Sequence, residues 1–185
     1  LDSDGNNIFD DGGPRVTDAM LHAVAGCLEA MHDSTLIFAP HLNSYDRMVP
    51  GAHAPTGLCW AYENRTAAIR IPSGNPAARR IEHRLAGGDV NPYLMLAAIL
   101  GAALNGIEDK RLPPDPITGN AYALDLAHVP NTWGDAIDAF EQSKVIPRIF
   151  APEMIRNLLL TKKQERHYMA ELSPNEQVEI YLDTV

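Results

Sequence analysis

The chain has 185 residues, 45% hydrophobic and 21% charged, which suits one domain with a real core and excludes a disordered tail. Fifteen Lys and Arg stand against 24 Asp and Glu, and the formal charge of -9 argues against a general nucleic-acid binder or a protein held on anionic lipid by charge. The longest apolar run, about residues 92–104, is too short to span a bilayer, and Cys27 and Cys59 read as buried thiols of a reducing, cytoplasmic compartment.

Asp2-Ser3-Asp4-Gly5-Asn6-Asn7 and Asp10-Asp11-Gly12-Gly13-Pro14 are turn sequences around a short Ile8-Phe9 piece. A calcium loop fails there, because the glycine has the wrong offset from Asp2 and no glutamate closes the loop. The sequence opens on Leu1 inside this polar turn, so a piece of a longer chain is expected. Met20, Leu21, Val24, Cys27, Leu28 and Met31 recur at helical spacing, which predicts a helix from a Thr17 or Asp18 cap to about His32. The middle is different. Leu58–Tyr62 is rich in strand formers, and Arg65–Ile71 and Arg79–Leu85 alternate, which predicts antiparallel strands joined through a Pro72–Pro76 loop. Asn91-Pro92 opens an almost wholly apolar helix to about Gly106, roughly 24 Å long, expected at the centre of a larger assembly. A proline-rich loop follows, then helices over Thr132–Ser143 and Pro152–Glu171, and Ser173-Pro174-Asn175-Glu176 caps a last short one.

Between Asn43 and Arg84 the chain reverses its charge. Arg47, Arg65, Arg70, Arg79, Arg80 and Arg84 face only Asp46, Glu63 and Glu82, and no lysine appears before Lys110. Guanidinium is permanently charged and forks onto carboxylate or phosphate two bonds at a time. Alternation along Arg80-Ile81-Glu82-His83-Arg84-Leu85 puts Arg80, Glu82 and Arg84 on one face and Ile81, His83 and Leu85 on the other. Two readings follow: a solvated face with weak ion pairs, or a face that binds phosphate or carboxylate. Spacing alone does not name a reaction. The seven histidines show no HxH or HExxH spacing, and no P-loop or nucleophile elbow occurs.

The motifs narrow the choice. Asn43-Ser44-Tyr45-Asp46-Arg47-Met48-Val49-Pro50-Gly51 resembles the NSYxRxxPG motif of the glutamine synthetase family. Asn64-Arg65-Thr66-Ala67-Ala68-Ile69-Arg70-Ile71-Pro72 resembles its NRxxxxRIP strand, Arg80-Ile81-Glu82-His83-Arg84 its RxExR strand, and Asp89-Val90-Asn91-Pro92-Tyr93 its ANPY helix start. Asp4-Gly5-Asn6-Asn7-Ile8-Phe9 is similar to the turn that precedes them.

The resemblance implies an α+β fold, a curved antiparallel sheet with helices packed on one side. It also implies an ATP-dependent ligase that phosphorylates the γ-carboxylate of glutamate and lets an amine displace the phosphate. By motif, Arg47 and Arg84 would hold glutamate, and Arg65 would bridge the transferred phosphoryl group. Arg70 and Arg80 would contact nucleotide phosphates, and Glu82 would offer one oxygen to a magnesium (or manganese) ion. Such chemistry rests on positioning and charge neutralisation. Residues 1–185 would then be the carboxyl-terminal portion of the catalytic domain, lacking the β-grasp domain and the first metal-binding strands, and inactive alone. The parent would be a homo-oligomeric ring acting on glutamate and an amine, without nucleic acid or membrane. His53 stands where ammonia-using members carry a glutamate, and imidazole is a poorer receptor for ammonium than carboxylate. With Gly51-Ala52-His53-Ala54-Pro55 and Arg84-Leu85-Ala86-Gly87, this resembles the γ-glutamylpolyamine (γ-glutamylputrescine) synthetase branch and favours a putrescine-like amine. An ammonia-using glutamine synthetase and a non-catalytic structural relative are the alternatives. Tyr122 lies near a position adenylylated in some bacterial members, but its surroundings match poorly and it reads as a loop tyrosine.

Overall fold

A computed structural model describes residues 1–13, 16–49 and 54–184. Helix α1 (Asp18–Met31) starts where Thr17 accepts a hydrogen bond from the Met20 amide at 3.3 Å, and it buries Met20, Val24, Cys27 and Met31. Helix α3 (Pro92–Glu108) is capped by Asn91, whose side chain accepts from the amides of Tyr93 and Leu94 at 3.0 and 3.2 Å. The two helices cross in near backbone contact. A Cβ on Gly26 would lie 2.1 Å from the Ala102 carbonyl oxygen, and one on Gly106 would lie 2.1 Å from that of His22. Only glycine permits this approach. The opposite face of α3 leaves Tyr93, Leu96, Leu100 and Leu104 exposed, so the helix expected to be central here has a buried side and an open one.

A short helix α2 (Thr35–Phe38), which hydrophobic periodicity did not single out, leads into a 3-10 turn over Leu42–Arg47. Among the described residues the sheet has three strands, β1 (Trp60–Tyr62), β2 (Ile69–Ile71) and β3 (Glu82–His83), in the order β1-β2-β3. The pair β2 and β3 is antiparallel, as the alternation predicts. The pair β1 and β2 is parallel, which corrects the expected wholly antiparallel sheet to a mixed one. The cause is the link over 63–68. Glu63 takes a left-handed φ of 51°, and the Asn64 side chain accepts from the Thr66 amide at 2.9 Å, so the chain doubles back before pairing. The strands are also shorter than the alternating runs, because turns at Asn64 and Asn75 consume the flanks.

Ile69, Ile71 and Leu85 are buried in the core formed with α1, α2 and α4 (Trp133–Gln142). The His83 ring lies 4.6 Å from Phe38. The opposite face of the sheet carries Arg70 and Glu82, so the architecture is α+β with helices behind one face. The proline-rich loop seals the outer edge of β1: Ile117 donates to the Trp60 carbonyl at 3.0 Å, and the Trp60 indole donates to that of Pro114 at 2.6 Å. Helices α5 (Pro152–Ala170) and α6 (Pro174–Thr184) complete the chain, with Glu176 accepting from the Ser173 amide at 2.8 Å as the capping sequence requires.

Candidate active site

Register decides the site. Arg70 is paired opposite Glu82 across β2 and β3, so both side chains leave the same face. Arg70 donates to Glu82 at 3.1 Å and to Glu63 at 3.2 Å. The Nε of Arg84 lies 3.2 Å from the other Glu82 oxygen, and its Nη1 donates to the carbonyls of Arg65 and, at 3.4 Å, Ala67. Both oxygens of Glu82 are thus held between two guanidinium groups. Hydrogen bonds from the Ser73 amide and Arg70 hold the Glu63 carboxyl below its ordinary range. The sequence shows Glu63 only as an opposing charge, because it is the turn after β1 that brings it to Arg70 and Ser73.

Arg65 and Arg80 extend the set outward. Both are exposed; among the described residues the Arg65 guanidinium has no partner, and Arg80 reaches only the Ala78 carbonyl, at 3.4 Å. Two cations left without a carboxylate, beside Arg70 and Arg84 whose charges are balanced by Glu63 and Glu82, make a surface that suits a multiply charged anion. Arg79, by contrast, turns away. It donates to the Gly13 carbonyl at 3.0 Å and fastens the amino-terminal turn to the sheet, where the Asn7 side-chain Nδ2 also donates to the Arg79 carbonyl at 2.8 Å.

Arg47 approaches from the 3-10 turn. Its Nη1 and Nη2 donate to the carbonyls of Leu85 and Phe38 at 2.7 and 2.8 Å, while its buried Nε has no partner among the described residues. Burial lowers its basicity from the ordinary arginine value, opposed by the nearby Asp89 carboxylate. Gly87 leaves the slot between these two groups open: a Cβ there would lie 2.2 Å from Asp89 and 2.8 Å from the Arg47 Nη2. Arg47 therefore borders the continuation of β3 just past Arg84, but as a backbone clamp and not a free fork. Asp89, which also accepts from the Ser44 hydroxyl, was missed in the sequence because only folding brings it to Arg47. His53 lies outside the described residues.

The donor set fits phosphate better than a bare cation. Among the described residues no cluster of three or more His, Cys, Asp or Glu side chains is placed to hold a metal ion. Glu82 can give one oxygen to a cation that arrives with its own anions, which would relieve the two guanidinium contacts.

Comparison with known proteins gives the family. Residues 1–181 match the glutamine synthetase catalytic domain. The chain belongs to that family. It is 44% identical over 154 residues to the γ-glutamylethanolamide synthetase GlnA4 of Streptomyces coelicolor, covering 83% of this chain and 33% of that protein. It is 33% identical to the γ-glutamylputrescine synthetase PuuA of Escherichia coli, covering 78% and 30%. To the glutamine synthetase of Thermus thermophilus it is 34% identical, covering 89% and 39%. The solved structure "Apo GmaS without ligand" superposes with a TM-score of 0.78 at 29% identity, over 95% of this chain and 41% of that one. The chain thus spans about a third of the length of the curated relatives it matches. Members of the family, the γ-glutamylamine synthetases included, are ATP-dependent ligases that form carbon–nitrogen bonds.

Proposed function

We propose that this chain is the carboxyl-terminal portion of the catalytic domain of an ATP-dependent ligase joining the γ-carboxylate of glutamate to an organic amine. The observation that carries this is the convergence of Arg70, Glu82 and Arg84 on one sheet face, with Arg65 and Arg80 beside them. Arg84, and Arg47 once its contacts with the Leu85 and Phe38 carbonyls are exchanged for substrate, bind the carboxylates of glutamate. Arg65 neutralises the phosphoryl group as it passes to the γ-carboxylate, and Arg70 and Arg80 hold the nucleotide phosphates. Glu82 offers an oxygen to the magnesium or manganese ion bound with ATP, which when present supplies charge neutralisation and polarises the phosphoryl oxygens. The amine then attacks the γ-glutamyl phosphate carbonyl and phosphate leaves. Glu82 is the only motif-matched carboxylate of the site in this chain, so residues 1–185 alone are inactive. The full protein forms a homo-oligomeric ring in the cytoplasm, and no described helix is long and apolar enough to cross a membrane.

His53 and the relatives named for ethanolamide and putrescine support an organic amine over ammonia. The test is phosphate release by the complete protein with ATP, glutamate and a panel of ammonia, ethanolamine and putrescine. Turnover with one of the organic amines above that with ammonia is expected; preference for ammonia would return the protein to the glutamine synthetases. Absence of turnover with every amine would leave the scaffold alternative.

A further inference from the structure

The 3-10 turn that carries Arg47 is held at its start by residues more than 120 positions away in sequence. Leu42 opens the turn, and its amide, one of the donors that a helical start leaves without an intrahelical partner, donates to the Tyr181 hydroxyl of α6 at 3.1 Å. The preceding residue, His41, lies 3.1 Å through Nδ1 from Glu165 of α5, and its ring meets that of Tyr181 edge-on at 5.4 Å. The other Glu165 oxygen accepts from Lys162 at 2.7 Å. Lys162 is only 8% exposed and its ammonium stands 5.8 Å above the Trp133 ring, so α4 joins the same network. A lysine so deeply buried is costly unless paired, and here it is paired. Burial opposes the ionisation of Glu165, but His41 and Lys162 outweigh it and keep the carboxyl below its ordinary range. Within the turn, the Ser44 hydroxyl accepts from the His41 amide at 3.0 Å and donates to Asp89. The contacts run without a gap from Lys162 to the residues that flank Arg47.

We propose that Tyr181, Glu165 and Lys162 are positioning residues for glutamate. They brace the start of the Leu42–Arg47 turn, so the carboxyl-terminal helices set where the Arg47 guanidinium stands. This rests on the assignment of Arg47 to glutamate above. None of the three touches substrate; each acts through the turn.

The test uses the complete protein with Tyr181→Phe, Glu165→Gln and Lys162→Met, and Tyr168→Phe on the exposed side of α5 as control. Hydrogen exchange reads the brace without reference to activity: faster exchange of the Leu42–Arg47 amides is expected in the three variants and not in the control. Kinetics read its purpose. The KM for glutamate should rise about tenfold, equivalent to about 1.4 kcal/mol, with the KM for ATP unchanged. Because KM does not scale with the folded fraction, a variant that is merely less stable cannot imitate this split. Unchanged exchange in the turn, or an equal rise of both KM values, overturns the proposal. Arg47→Lys separates the two readings. If it leaves the glutamate KM unchanged, the assignment of Arg47 falls; if it raises that KM while the brace variants do not, the brace falls alone.

Discussion

Beyond the carboxylates, acid should destabilise this fold through His83. It sits between Glu82 and Arg84 but points the other way, against Phe38, with its buried Nδ1 unpartnered among the described residues. The narrow void beside it, lined by Cys27, Ser34 and Phe38, is too small to admit water, and among the same residues the Ser34 hydroxyl is likewise unpartnered. Burial lowers the His83 pKa from 6.5 to about 4. Below pH 6.5 the unfolded chain takes up a proton that the folded chain refuses, so stability is complete above that pH and falls as pH drops towards 4. At about 1.4 kcal/mol per unit, the loss across this window is roughly 3 kcal/mol. The perturbation is His83→Phe, which removes the titrating group and packs an apolar ring on Phe38. Urea unfolding of both chains at a series of pH values isolates the effect, because the carboxylates common to both cancel in the difference. At pH 7.5 the two should lie within about 1 kcal/mol. Towards pH 4 the variant should gain roughly 3 kcal/mol on the wild type. A difference that stays constant from pH 7.5 to 4 would refute the reasoning.

Gly26→Ala should destabilise the chain by about 3 kcal/mol in the same urea assay, since its Cβ would meet the α3 backbone, while Gly88→Ala, with nothing within 4 Å, should be neutral within about 0.5 kcal/mol. Gly87→Ala in the complete protein should raise the glutamate KM about tenfold or more by pushing between Asp89 and Arg47; an unchanged value would remove Arg47 from the glutamate site. Glu82→Gln keeps the shape of the cluster but loses its charge, and kcat should fall on the order of 100-fold, with Glu63→Gln, at the exposed edge of the same arginine, costing less. Equal effects of the two would deny Glu82 its separate role.

The helices were legible because their signals are local. Thr17, Asn91 and the Ser173–Glu176 pair cap where the sequence says they should, and Thr132, read only as the start of a helix, is the cap of α4. The face shared by Arg70 and Glu82 was legible in half. Alternation placed Glu82 beside Arg84 and opposite His83, but only the pairing of β2 with β3 brings Arg70 to Glu82. The parallel β1–β2 pair was not legible, since alternation fixes which face a residue takes and not the direction in which the chain returns. The surroundings of Arg47 were the least visible. Phe38, Leu85, Asp89, Glu165 and Tyr181 are scattered along the chain, and the one motif residue they serve gives no hint of them.

The arginine face is assigned to activating a carboxylate with ATP, and oxygen labelling examines that assignment at the bond concerned. The complete protein is supplied with ATP, its amine and glutamate carrying 18O in the γ-carboxylate, and the released phosphate is weighed by mass spectrometry. One labelled oxygen per phosphate is expected, because the γ-carboxylate oxygen departs with the phosphoryl group. Phosphate released without label would contradict the account.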